Sequence, residues 1–419
     1  MSRTLAAIAV TAALLIGAGT PVLAQPGYEP EPVLQASELV APELLSGPNF
    51  TVDKRVPIKG FIARFTIRST FGVFEAHGLQ MLQIRVREVY ALAQLDSMSK
   101  TSEFAEAAAK AAARPLTSAA NMVMNPVQTV EGLPDGVTRL FDRIKLGGEA
   151  VAAAATQSGA STGQKVTDVG ERVGSITITA LGFEKERRDL AKSLGVDPYT
   201  TNPVLSKKLT DMAWVAFSGR FGIQAAMSVF VPYSMAMSAV TITNSTVYDT
   251  PAGDLINNAR SIFAATGASD PMVDALMKNT QYSLSVLTAL AMGIQRLKGV
   301  NGLPSIVDFA AIAQTQDETN FIASSINILA RYHETVAPIA SVGAPGPIIA
   351  RTATGTPVIP AAVDYVAWTE RAGRFAARKD LEAPQRVAWI SGQLSRRAQK
   401  EFESRHWTIY ETFSISAER

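Results

Sequence analysis

The sequence predicts an α+β protein, mostly helical, in which a small N-terminal β-hairpin and a helical middle precede a C-terminal α/β unit with a short parallel sheet. Three observations carry that prediction. Apolar residues alternate with polar ones between Phe50 and Ile67, the period of half-buried strands. From Leu79 to His333 the apolar period becomes three to four, with helix-start and helix-stop residues between the runs. After Pro338 short strand-like runs alternate with helical ones, the order of parallel strands joined by helical crossovers.

Residues 1–24 read as a secretory signal peptide. Arg3, the charge-poor apolar run 5–17 and the end Val22-Leu23-Ala24 stand in the required order, and Val22 and Ala24 supply the small residues a cleavage site needs. The run is too short for an ordinary membrane span, and no cysteine follows to make a lipoprotein site. The expected location is the periplasm or the medium, and an uncleaved anchor is the alternative. Residues 25–48, rich in Pro and Glu, read as a disordered leader.

The first folded region, 49–146, opens with the alternating runs 50–56 and 61–67, a turn at 57–60 and a further strand at 70–75. Leu79, Leu82, Val86, Val89, Leu92 and Leu95 then mark an amphipathic helix with Arg85, Arg87 and Glu88 on its other face. The run AEAAAKAAAR predicts a second helix over 102–113 from propensity alone. Residues 147–175, dominated by Gly, Ala, Ser and Thr, read as a linker.

The helical block covers 176–335. A charged helix over 184–194 is closed by Gly195, and Asp197-Pro198 and Asn202-Pro203 give turn and helix-start signals before 204–217. Helices are predicted at 254–263, from Asp270-Pro271 onward, and at 282–297, 305–313 and 317–333. The C-terminal unit, 336–419, has strand-like runs at 348–350, 358–363, 387–390 and 408–413 and helical patterns at 368–379 and 395–405.

Composition narrows the function classes. The 419 residues are 47% hydrophobic and 18% charged, a globular balance. Lys and Arg number 39 against 37 Asp and Glu. A near-neutral chain lacks the basic surplus of an electrostatic nucleic-acid binder. With no cysteine and three histidines, thiolate chemistry is excluded and no metal or cofactor site is predicted. G-x-S-x-G, H-E-x-x-H and phosphate-binding glycine loops are all missing from the sequence.

Three places remain where chemistry could sit. Asp364 and Ser391 end two predicted parallel strands, and ligands of open α/β sheets bind outside such ends; equally, each is a residue type that caps a following helix. His333, beside Glu334 at a helix end, is a general base or a residue packed on the helix terminus. The uncharged run 221–242 has the length of a span, yet Gln224, Pro232 and its Ser and Thr residues favour a buried helix or hairpin over membrane contact.

The segments LGVDPYTTNPVL (194–205), VDYVAWTERAGR (363–374) and ISGQLSRRAQKEFESRHWTIYE (390–411) resemble stretches of an uncharacterised group of exported bacterial proteins with no assigned activity. That resemblance implies export and brings no catalytic residue. The favoured reading is an exported soluble protein that binds an envelope or extracellular partner without catalysis. The alternatives are a hydrolase or transferase acting at the Asp364/Ser391 edge and a membrane-active protein using 221–242.

Overall fold

The computed structural model describes residues 27–112, 137, 140, 178–219, 245–344 and 346–411. The stretches read as a signal peptide, 1–24, and as a linker, 147–175, and the run 221–242 lie outside the described residues. Among the described residues, no helix is long and apolar enough to cross a membrane.

The N-terminal sheet is larger than a hairpin. Strands β1 (Val33–Gln35), β2 (Ser46–Gly47), β3 (Phe50–Val52), β4 (Arg55–Lys59), β5 (Ile62–Ser69) and β6 (Gly72–His77) form one antiparallel sheet in the order β1-β4-β5-β3-β2, with β6 also on β5. Lys59 pairs with Ile62, so the β4–β5 turn is Gly60-Phe61, with φ of 55° and 70°. Two positive φ values are what a two-residue hairpin turn demands to match strand twist. Phe61 is held there from outside the hairpin, its carbonyl accepting from the N–H groups of Asp364 and Tyr365 at 3.0 and 3.2 Å.

The stretch 25–48, expected as a disordered leader, is ordered from Gly27 onward. Leu34 pairs with Val56, Ala36 is buried, and Glu29 and Trp368 exchange two hydrogen bonds, Glu29 N–H to the Trp368 carbonyl at 2.8 Å and Trp368 N–H to Glu29 Oε2 at 2.6 Å. A segment too polar to build a core gains order here by pairing its backbone with a finished sheet and a distant loop.

Helix α1 is short (Ala36–Leu39), α2 spans Leu79–Ser99 and α3 Ser102–Ala112. Helices α4 (Ile178–Leu194) and α5 (Pro203–Gly219) pack with α2 on the sheet, joining Phe65, Ile67, Leu82, Leu92, Leu190 and Leu205 in one core. A second core holds α7 (Ala252–Ala265), α8 (Asp270–Lys278), α9 (Leu284–Arg296), α10 (Leu303–Ala311) and α11 (Gln316–Thr335), with α6 (Ser245–Asp249) beside them in a small cluster. It continues without a break into the C-terminal sheet.

That sheet runs β13-β11-β9-β8-β7, from β7 (Ile339–Gly343), β8 (Ile349–Thr352), β9 (Pro357–Ala361), β11 (Arg386–Ile390) and β13 (Trp407–Tyr410). Helices α12 (Glu370–Ala376) and α13 (Arg396–Glu403) cross between β9, β11 and β13, which are therefore parallel, whereas short connections make β7–β8 and β8–β9 antiparallel. The pleat divides the faces: Trp389 meets Tyr332 of α11 at 5.0 Å, while Ala388 and Ile390 face α12 and α13.

The predicted fold class is thus corrected. Helices are the larger part, but one antiparallel sheet and one mixed sheet of five strands replace a hairpin and a short parallel sheet. The strands that escaped the reading are β1, β2 and β7, together with the two-residue pair β10 (Tyr365–Val366) and β12 (Gln393–Leu394). β1, β2, β10 and β12 have two or three residues, too few for a period to show, and a register shift between Ile339 and Ser341 breaks the alternation of β7.

Candidate functional site

Residues from both cores line a cleft where α2 passes the first turns of α9 and α11. Met81, Arg85 and Glu88 come from α2, Asp197, Thr200 and Thr201 from the α4–α5 loop, Ser283 from the N-cap of α9, and Gln316 and Asn320 from α11. It holds about 50 Å³ of free space beneath an open mouth. That is room for a group of about four heavy atoms at the floor, the rest of a ligand lying in the mouth.

The floor is a connected polar layer. Glu88, 1% exposed, accepts from Arg85 Nη1 at 2.7 Å, from Asn202 Nδ2 at 3.0 Å and from the Thr200 hydroxyl. Arg85 Nη2 also donates to Thr201 Oγ1 at 2.7 Å. The periodicity of α2 predicted Arg85 and Glu88 on a solvent face. Both are buried, because α2 is covered on two sides, by the sheet and by the α4–α5 loop.

The loop earns its conformation locally before it contributes to the cleft. Gly195, at φ 66°, ends α4, and Asn202 Oδ1 caps α5 by accepting from Val204 and Leu205 N–H at 3.0 and 3.3 Å. Between them Asp197 Oδ1 accepts from Tyr199 N–H at 2.7 Å and from Ser285 Oγ at 2.6 Å, tying the loop to α9. Among the described residues, no hydrogen bond reaches Asp197 Oδ2. Burial pushes the Asp197 carboxyl up to about 6, and the Glu88 charge adds to the rise, against the opposing Ser285 and Tyr199 hydrogen bonds and Arg187. The group therefore changes charge close to neutral pH.

Behind the loop lies a second buried set. Glu184 Oε1 accepts from the Tyr199 hydroxyl at 3.0 Å and from Ala252 N–H at 2.8 Å, with Arg188 Nη1 at 3.0 Å. Arg188 Nε donates to the Tyr248 carbonyl at 3.0 Å. Burial, then the Glu184 charge, holds the Tyr199 phenol well above its ordinary value, so it stays neutral.

Asp364 and Ser391 do come together in the backbone. Gln393 N–H donates to the Asp364 carbonyl at 3.0 Å, and Ser391 N–H to that of Ala361 at 3.3 Å. Their side chains have separate tasks. Asp364 Oδ2 accepts from Ala63 N–H at 2.9 Å and Oδ1 from Leu79 N–H at 3.0 Å, so it caps α2, about 285 residues away in the chain. Ser391 Oγ donates to the Val363 carbonyl at 2.8 Å. Neither caps the helix that follows it; Thr369 and Ser395 do that, accepting from Ala372 and Ala398 N–H. The polar crevice expected between them does not form, because both side chains are spent on backbone groups.

Gly392 sits where this backbone is tightest: a Cβ there would lie 1.9 Å from the Asp364 carbonyl oxygen. Gly392→Ala is expected to lower the urea midpoint by an amount equivalent to at least about 2 kcal/mol, since backbone must move to admit it. A variant with an unchanged midpoint would show that the Asp364 loop is not held as described.

His333 Nδ1 accepts from Ile339 N–H at 2.9 Å, closing the turn after α11, and Glu334 Oε1 takes Arg296 Nε at 2.9 Å. The two neighbours do not act on each other as a base and its orienter. His77, by contrast, has a partner that sequence could not supply: Nδ1 lies 2.9 Å from Asp317 Oδ1, whose other oxygen meets Arg64 at 2.8 Å. Burial would raise Asp317, but His77 and Arg64 outweigh it and hold the carboxyl below its ordinary value. Among the described residues, no group of three or more His, Asp or Glu is placed to hold a metal.

Comparison with known proteins returns no matching family model, no matching curated protein and no matching solved structure.

Proposed function

We propose that this is an exported, non-catalytic binding protein of the cell envelope whose cleft takes a small polar molecule presenting an ammonium or hydroxyl donor to Asp197. The observation that supports this reading is the convergence of Arg85, Glu88, Asp197, Thr200 and Thr201 on one cleft between two apolar cores. Sites of small-molecule recognition have that form, a few fixed polar groups in a concave junction. Glu88 and Arg85 satisfy each other and set the floor, while Asp197 Oδ2 is left to meet a ligand. The loop involved, 195–202, falls within the first of the three segments that resemble the exported group.

The test is ligand recovery followed by titration. Mature protein purified from the periplasm is denatured and its small molecules identified by mass spectrometry, and a panel of amino acids, amines and monosaccharides is screened by thermal shift. Asp197→Asn is expected to weaken binding about tenfold or more, the cost of an unpaired donor at a buried acceptor. Wild-type affinity should fall as pH drops below about 6, where Asp197 takes a proton. If nothing copurifies, no panel member stabilises the protein and Asp197→Asn behaves as wild type, the cleft is not a binding site.

A further inference from the structure

A second concavity lies on the outer face of the C-terminal sheet, and its chemistry is the opposite of the cleft's. Alternate residues Ile359 and Ala361 of β9, Ala388 and Ile390 of β11 and Ile409 of β13 form its floor, and Phe375 and Phe402 of α12 and α13 form walls. Phe61 reaches it from the β4–β5 turn of the N-terminal sheet. Every lining residue is apolar except Arg371. About 50 Å³ of free space remains beneath the mouth. Apolar space of this kind gains from a hydrocarbon occupant and holds water poorly.

The layer over this groove is basic. Residues 370–405 contain nine Lys and Arg against five Asp and Glu, in a chain whose total balance is only +2. Arg371 of α12 is the one charged residue on the lining itself. The surplus is thus one of positive charge, beside an apolar floor. Carboxylate and hydrocarbon together are the chemistry that answers both.

We propose that this groove binds a free medium-chain fatty carboxylate, tail on the sheet between α12 and α13 and head toward Arg371 and the basic layer. The site shares no residue with the Asp197 cleft, so the two proposals stand or fall separately.

The experiment uses the mature protein with octanoate, 1-octanol and anionic phosphatidylglycerol vesicles as probes, read by thermal shift and isothermal titration, and 8-bromooctanoate as a quencher of tryptophan fluorescence. Trp407 lies 5.7 and 5.8 Å from Phe375 and Phe402, close enough to report a brominated tail. Octanoate is expected to raise the melting temperature, 8-bromooctanoate to quench, and octanol to bind several-fold more weakly. Ala388→Val, which fills the floor, should lower octanoate affinity about tenfold while leaving the melting temperature unchanged or higher. Should Ala388→Val prove unstable, Arg371→Gln takes its place: it should weaken octanoate and leave octanol unaffected. Equal affinity for octanol and octanoate would overturn the choice of a carboxylate. Binding to vesicles without binding to octanoate would overturn it in favour of a membrane surface, and no quenching with no thermal shift would dispose of the site.

Discussion

Glu88→Ala is expected to cost about 3–5 kcal/mol of folding stability, the range for removing one partner of a buried ion pair. Glu88 is 1% exposed and accepts from three side chains, Arg85, Thr200 and Asn202. Without it the Arg85 guanidinium, itself 8% exposed, keeps Thr201 but loses its counter-charge, and the Asn202 amide loses its acceptor. Glu88→Gln should cost less, because its carbonyl still accepts while the charge is gone. Asp96, open to solvent and paired with Lys100 at 2.8 Å and Lys208 at 3.0 Å, is the control, since solvent and salt screen such pairs and Asp96→Ala should cost far less. Urea unfolding of the three variants decides it: a Glu88→Ala midpoint no lower than that of Asp96→Ala would mean the buried layer does not form.

The same pair shows where the sequence is readable and where it is not. Leu82, Val86, Val89, Leu92 and Leu95 declare α2 through their spacing, and the helix is there. Gly195, Asp197-Pro198 and Asn202-Pro203 declare a helix end, a turn and a helix start, and each stands where it was read. Periodicity reports only the side of a helix that meets apolar neighbours. Arg85 and Glu88 are buried against polar ones, the loop 195–202, which lies more than a hundred residues further on. Charged residues three apart on a helix, with a Thr- and Asn-bearing loop elsewhere in the chain, have no period that would have joined them.

The sheets were partly legible for a related reason. Strands β5, β9, β11 and β13 carry apolar residues enough to announce themselves, whereas β1 pairs through its backbone with Val33 and Gln35 exposed and Leu34 half-buried. Nor could the chain order tell that α4 and α5 would join the N-terminal sheet while α7 to α11 join the C-terminal one. That division, which creates the cleft, follows from long-range packing alone.

Asp364→Ala is the second large expectation, at about 2–5 kcal/mol, because two backbone N–H groups, the buried one of Ala63 and the part-buried one of Leu79, lose their acceptor together. Ser391→Ala removes a single donor to the Val363 carbonyl and should cost only about 1 kcal/mol. Two helix caps would have given equal losses, so the asymmetry identifies Asp364 as the tie between the C-terminal unit and the start of α2. Titration gives the tie a pH signature. Burial raises the Asp364 carboxyl from 3.8 to about 6, against the pull of the two N–H donors. Between those values the folded protein binds the proton more tightly than the unfolded chain. The contribution is therefore complete below about pH 4 and is lost as pH rises through 6, a difference of roughly 3 kcal/mol at most. Asp197 has the same sign, and Asp317, held low by His77 and Arg64, weakens the fold only below its ordinary value. Asp364→Asn cannot ionise, so its stability should change less between pH 4.5 and pH 7 than that of the wild type, even though its amide now faces one of the two N–H groups. Unfolding free energies at the two pH values test this directly: equal slopes for Asp364→Asn and wild type would place the carboxyl in water, outside the junction it is described as closing.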